Sequence, residues 1–383
     1  MKYMRTRYSS CPEALGTRPA RSWFTRVIVL AVLIGAAPRL SAQTPTHDMH
    51  DQPVSDSGAT PRFVLSGFGD AAWQKTDEPG EANTFSIGQF NLMPTATLSD
   101  RLSMLGEIVI EAGEDDNVIR IDLERVLLRY SFGDGLALSA GRYHTAIGYY
   151  NTAYHHSSWL QTTIERPLIF HFEDDGGPMP IHGVGVTARG TFPGRALRLE
   201  YVAEVGNGRS SIPDTDDVQN VRDDNSNKAI NVAVAVVPNS APNLRIGGSF
   251  YHDTLTPIGE RDRPDSVSAV YLVYSSATFE FLNEVIVMRR GESGADAATT
   301  TSPAYYSQIS RAFGRWRPYA RVERMDLRTA FTADAPAGRQ TQSLAVLRFD
   351  FSDLAAVKAE YRHNTVSGAS AFNAIVANVS FTF

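Results

Sequence analysis

The sequence predicts an all-β chain: a transmembrane, antiparallel, up-and-down β-barrel of about 16 strands with a long, inward-folded third extracellular loop. Three observations carry this. Apolar residues alternate with polar ones over short stretches, the period-two signature of a strand with one apolar face. The connections between these stretches alternate between long and short, as in a barrel with long loops outside and short periplasmic turns. The last stretch, Phe372 to Phe383, places Ile375, Ala377, Val379, Phe381 and Phe383 on one face and ends on an aromatic. A free apolar edge would be an aggregation hazard in water, whereas a strand closing a cylinder in lipid places such a residue in an aromatic girdle.

Residues 1–42 read as a signal peptide. A basic region (Lys2, Arg5, Arg7, Arg18, Arg21, Arg26) precedes the apolar run Val27 to Ala37, and Leu40-Ser41-Ala42 forms a small-residue cleavage site. The run is too short to span a bilayer as a helix. The first 42 residues hold 7 of the 36 basic and 1 of the 42 acidic residues, so the remainder carries 29 against 41, a net −12. An acidic exported chain is not expected to bind nucleic acid. The single cysteine, Cys11, leaves with the signal, which excludes disulfides, thiolate metal sites and cysteine nucleophiles. Residues 43–61, including His47, Asp48, His50 and Asp51, read as a flexible polar periplasmic arm.

Residues 62–383 form the barrel. The expected strands begin with 62–73, 85–98, 101–112, 118–132 and 135–143. The middle set is 181–191, 196–205, 228–237, 244–252, 266–275 and 277–289. The last five are 304–313, 316–326, 341–351, 355–363 and 372–383. Most have the length a tilted strand needs to cross a membrane. The short turns are rich in Gly, Pro, Asn, Asp and Ser, as at Ser99-Asp100-Arg101, Gly133-Asp134-Gly135 and Gly314-Arg315. An even strand number puts both ends of the barrel chain in the periplasm, and it requires 372–383 to pair with both 355–363 and 62–73.

The faces assign inside and outside. In 355–363, Val357, Ala359 and Tyr361 alternate with Lys358, Glu360 and Arg362. In 315–323, Arg315, Arg317, Arg321 and Glu323 share a face with Tyr319, opposite Trp316, Ala320 and Val322. Arg or Lys facing lipid at the midplane costs about 2–4 kcal/mol, so the charged faces point into a wet lumen. In 118–132 the parity of the apolar residues switches near Glu124-Arg125, which predicts a β-bulge there.

The longest connection, His144 to Pro180, has 37 residues and is rich in aromatics and histidine (His144, His155, His156, His171). So apolar a loop is expected to fold into the barrel mouth rather than extend into solvent. The segment Ser157–Glu165 is expected to form a short helix ending before Pro167. Glu173-Asp174-Asp175 brings three carboxylates together beside a Gly-Gly turn.

The stretch Gly141-Arg142-Tyr143-His144-Thr145-Ala146-Ile147-Gly148, with Ile164-Glu165-Arg166-Pro167 after it, resembles the phosphate-selective porin-like family of outer-membrane proteins. The match covers roughly residues 85–190. The resemblance implies a 16-stranded barrel, a constriction-lining third long loop and a homotrimer. Selectivity in that family rests on runs of basic residues. Beyond the signal this chain has only Lys75, Lys228 and Lys358, so anion selectivity is not carried over.

The leading functional expectation is a passive outer-membrane channel for small hydrophilic solutes or ions, embedded in outer-membrane lipid. Opposed charges would filter the solute: Glu173, Asp174 and Asp175 on the loop, and Arg120, Arg189, Arg315, Arg317, Arg321, Arg348 and Arg362 on the wall. The alternative is transition-metal or small-ligand binding by His144, His155, His156 and His171. An enzyme is not expected. Ser157 and Ser158 beside His156 lack the geometry of a triad, no dinucleotide, phosphate-loop or zinc-protease motif is present, and no cofactor is implied. A structural barrel plugged by its own side chains is a further reading.

Overall fold

The computed structural model describes residues 61–112, 118–154, 159, 161–172, 177–210, 221–256, 262–291, 298–330 and 337–383. The proposed signal peptide and nearly all of the arm lie outside these residues. Sixteen strands follow in order: β1 (Arg62–Thr76), β2 (Thr84–Thr97), β3 (Leu102–Ala112), β4 (Ile119–Gly133), β5 (Leu136–His144), β6 (His182–Pro193), β7 (Leu197–Gly206), β8 (Ala229–Pro238), β9 (Leu244–Leu255), β10 (Arg263–Ser275), β11 (Phe279–Gly291), β12 (Thr299–Arg311), β13 (Trp316–Leu327), β14 (Gly338–Ser352), β15 (Ala355–Val366) and β16 (Phe372–Thr382). Each pairs antiparallel with its neighbours in sequence, and β16 pairs with β1, so the sheet is a closed barrel. Among the described residues no helix is long and apolar enough to cross a membrane.

The seam forms as the period-two pattern requires. Val379 of β16 lies opposite Val357 on one side and Ala71 on the other. Gly67 and Phe383 exchange both backbone hydrogen bonds, each 3.0 Å. A side chain on Gly67 would run into the Phe383 ring and the Asn91 carbonyl, so the close approach at the seam requires glycine.

Parity sorts the faces as expected. Val379, Phe381 and Phe383 are exposed on the outside, whereas Lys358, Glu360 and Arg362 are buried on the inside. The outer face is rich in apolar residues, with Ile121 73% and Val270 60% exposed, and polar groups on it include Ser307, which donates to Asn283. Aromatic pairs gather towards the end with the short turns: Tyr130–Phe132, Phe192–Tyr201, Tyr274–Phe279 and Trp316–Phe349. The bulge expected near Glu124-Arg125 is present. Glu107 pairs with Arg125 and the next residue, Ile108, with Leu123, which leaves Glu124 as the extra residue.

Several strands extend beyond the expected limits at the end with the long loops. β10 begins at Arg263, β12 at Thr299 and β14 at Gly338, and β15 continues to Val366. These extensions are polar, so hydropathy gives no sign of them; ladder hydrogen bonds to an equally extended neighbour hold them. At the other end β12 stops at Arg311, short of 313, because Ala312 and Phe313 enter the turn at Gly314.

Candidate functional site

The described residues of the connection between β5 and β6 lie inside the cylinder, and the way it enters explains much of its chemistry. β4 pairs with β5 only as far as Arg142, and β7 pairs with β6 only as far as Gly185, yet β5 and β6 stay paired up to His144 and His182. Arg142, His144 and His182 carry the parity that faces outward lower on these strands, at Ala140, Leu138 and Val186. They are nevertheless buried, close to the inward carboxylates of β3 and β4: the His182 Nε2 is 2.6 Å from Glu124 and the His144 Nε2 3.8 Å from Glu107. The tip of the hairpin has therefore left the wall and turned into the lumen. Gly141, at φ +132°, stands where the departure begins; a Cβ there would collide with the Val126 carbonyl.

Buried backbone polar groups need hydrogen-bond partners, and inside the barrel the wall supplies them to the loop. Four inward glutamates accept its N–H groups. Glu204 of β7 takes Ala146 (3.1 Å) and Glu284 of β11 takes Tyr149 (2.7 Å) and Tyr150 (2.8 Å). Glu360 of β15 takes Ile164 (2.5 Å) and Glu323 of β13 takes Leu168 (2.6 Å). Wall cations donate to loop carbonyls. Arg321 reaches Glu165 and Arg166, each 3.0 Å, and Arg348 reaches Trp159 (2.9 Å) and Gln161 (3.1 Å). Lys358, 0% exposed, reaches Gln161 (2.9 Å) and Thr163 (2.7 Å). The loop thus crosses from β7 round to β15.

This pattern also corrects the helix expected over Ser157–Glu165. Residues 161–165 form bends, not a helix. The Ile164 N–H and the carbonyls of Gln161, Thr163 and Glu165 are committed to the wall, so they are not available for i→i+4 bonding. One helical turn forms earlier, at Tyr150–Ala153, and a 3-10 turn at Leu168–Phe170.

Apolar packing supplements these bonds. Ile147, Tyr149, Tyr150, Tyr154, Ile169, Phe170 and Met179 of the loop join Val267, Leu282, Ile286, Met288 and Tyr306 of the wall in one buried cluster. On the opposite side Trp159 packs against Phe68, Met93, Leu105, Leu127 and Tyr143, while Arg348 lies 4.9 Å over its ring. A cavity of about 80 Å³ remains between the loop residues Gly148, Tyr149 and Thr152 and the wall residues Glu200, Arg245 and Tyr271; Glu200 and Arg245 form an ion pair there.

Of the seven wall arginines singled out in the sequence, Arg321, Arg348 and Arg362 come together with the loop. Arg362 binds Glu165 (2.5 Å) and Glu360 (2.8 Å). Arg120 is exposed near the long-loop end of β4, Arg315 is exposed in a short turn, and Arg189 is half-buried on β6. Arg317 donates to the Ala277 carbonyl (3.0 Å) near the short turns. Glu173, Asp174, Asp175, His155 and His156 lie outside the described residues. Of the four histidines considered as ligands, His144 adjoins His182 and Glu124, and His171 is elsewhere on the loop. Burial holds His171 down at about 4, helped by Arg321, Arg166 and Arg362 and opposed by Glu165. Burial alone would raise the pKa of Glu165, but Arg362 brings it below its ordinary value.

The sequence reading missed the anchoring glutamates and Lys358 as loop ligands. One signal was available. Leu282, Ile286 and Met288 fall on the inward parity of β11, interleaved with Glu280, Glu284 and Arg290, so that face carries a large apolar share. An inward apolar face in a wide barrel implies something packed inside it.

No protein-family model and no curated protein matches this chain. Solved structures do resemble it in fold. An anion-selective porin from Comamonas acidovorans aligns with a TM-score of 0.61 at 12% identity, over 85% of this chain and 100% of that one. OmpF of Salmonella typhi, solved with daunomycin, gives 0.55 at 13% identity over 85% and 98%. The outer-membrane protein OmpT of Vibrio cholerae gives 0.55 at 11% identity over 86% and 100%. At these identities the likeness is one of fold: a closed 16-stranded barrel of the kind found in porin-like outer-membrane proteins.

Proposed function

We propose that this chain is an outer-membrane channel through which small hydrophilic solutes or ions diffuse passively, with the β5–β6 loop as its filter. It is read as a non-enzyme embedded in outer-membrane lipid. The observation that carries the reading is the loop held inside a lipid-compatible barrel by wall carboxylates and cations. Such a fixed constriction sets pore size and field without any moving part. The predominantly apolar outer face supports the lipid setting, and the porin-like fold of the Comamonas and Salmonella proteins supports the channel. A homotrimer belongs to the same reading, supported by a V. cholerae OmpT structure described as a trimer form, with a TM-score of 0.54. Resemblance to the phosphate-selective group is not carried further, because no family model matches.

The charges gripping the loop bear on selectivity. Around β13–β15, Arg321, Arg348, Lys358 and Arg362 face Glu323, Asp350, Glu360 and Glu165, four against four. Each of these loop-gripping charges is offset by an opposite one, while Arg317 of β13 and Arg166 of the loop add two further cations to the sector. Planar-bilayer recording of the purified full chain should give stepwise conductance, and a salt gradient should give a reversal potential that reports the dominant charge. A folded protein that conducts nothing overturns the channel reading.

A further inference from the structure

We propose that Glu124, His144 and His182 form a binding site for a divalent transition-metal ion, with Glu107 beside them, at the root of the loop. Each of the three offers a ligand atom, and these atoms lie within 4.8 Å of one another in a buried setting. Zinc holds nitrogen and oxygen ligands at about 2.0–2.2 Å, so donors around one ion stand at most about 4.4 Å apart. Small side-chain rotations bring the group into that range. Two imidazoles with one or two carboxylates suit zinc, cobalt, nickel or copper rather than calcium or magnesium.

The three donors come from three different strands and converge for a structural reason. Glu124 is the bulged residue of β4, thrown out of register with β3. His144 and His182 face each other as the last pair of the β5–β6 ladder, their rings 5.7 Å apart. The bulge aims a carboxylate at the place where the hairpin tip turns off the wall. Phe172 of the loop stacks on His182, with its ring centre 6.1 Å away, and fixes that imidazole.

Electrostatics favours a cation. Arg125 pairs with Glu107, and Arg142 lies 3.4 Å from Asp122 and 3.9 Å from Glu124. Among the described residues, three carboxylates against two guanidiniums leave one net negative charge when both imidazoles are neutral, the form that ligates a metal. A bound ion would clip the hairpin tip to β3 and β4, where strand pairing no longer holds it. The competing reading is an ion pair between protonated His182 and Glu124, with no metal at all.

The test uses the full chain, folded in detergent, stripped with a chelator and then incubated with excess zinc, and measures zinc bound per chain by elemental mass spectrometry after desalting. Barrel formation is checked by far-ultraviolet circular dichroism. One zinc per chain is expected, absent in His144→Gln and His182→Gln and retained in His171→Gln and in the double variant His155→Ala/His156→Ala. Glu107→Gln should weaken binding about tenfold, as loss of a neighbouring carboxylate does elsewhere. Equal zinc in the wild type and His182→Gln, no zinc in either, or loss only in the His155/His156 variant overturns the proposal. Should the ligand variants fail to fold, X-ray absorption on the zinc-loaded wild type decides, and fewer than two imidazoles at the metal overturns it. None of these readouts depends on conductance, so they are independent of the channel reading.

Discussion

Two sectors of the inner wall use the same residue types to different ends. In β1–β4 the inward polar groups satisfy one another along the wall. Asn91 donates to Glu107 (2.6 Å), Gln89 to Glu111 (3.0 Å), and Asn378 of β16 to Asp70 (2.8 Å). In β11–β15 the inward glutamates and cations reach across to the backbone of the loop. The first arrangement braces the cylinder; the second fixes what the cylinder contains. A buried carboxylate that accepts two backbone amides cannot be lost without stranding both, so the second sector is where single substitutions should reach function.

The largest effect is expected from Glu284→Leu. It strands the Tyr149 and Tyr150 amides, each at about 1–3 kcal/mol, and should release the loop. Conductance should rise and the loop should become open to protease while the barrel stays folded; unchanged conductance would remove the distinction between the sectors. Trp159→Ala comes next. Trp159 is half-buried and touches both sectors, so the loss should be about 1–2 kcal/mol, below the 3–5 of a fully buried tryptophan, read as a lower thermal midpoint with a modest conductance gain.

Acid should act on the loop sector through His171. His171 is neutral in the folded chain down to about 4, whereas an unfolded histidine takes up its proton near 6.5. At His171 the unfolded state binds more protons between these values, so this group's contribution to stability rises with pH in that window and falls as pH drops from 6.5 towards 4. Loop protection measured by hydrogen exchange should weaken over this range, and His171→Gln should flatten the profile. The smallest effect is expected from Asp70→Asn in the bracing sector. It should cost under about 1 kcal/mol in chemical denaturation and leave conductance unaltered.

Much of the architecture was legible because parity is a strict rule on a sheet. The same rule located the bulge, since Val126, Leu128 and Tyr130 could face outward only if one residue were inserted near Glu124. Parity failed where the chain leaves the sheet. It would place His144 and His182 outside, and only the turn of the hairpin tip at Gly141 brings them in. The wall arginines were legible as inward, but their partners were not. Arg321 binds loop carbonyls 155 and 156 positions away, and nothing local in the sequence announces such a contact. Lys358 was read only as an inward charge. Its burial follows from the loop bends at 161–163, where a helix had been expected.

The seam between β1 and β16 has a kinetic consequence. Gly67 and Phe383 exchange backbone hydrogen bonds across 316 positions, and each doubling of a closing loop costs only about 0.6 kcal/mol in entropy. Sequence distance is therefore a small thermodynamic barrier to closure but a strict temporal one. Until β16 arrives, the other fifteen strands form a sheet with two open edges, each a template for pairing with another chain. The unclosed chain needs its edges shielded for as long as the last strand is missing, and closure removes both edges at once.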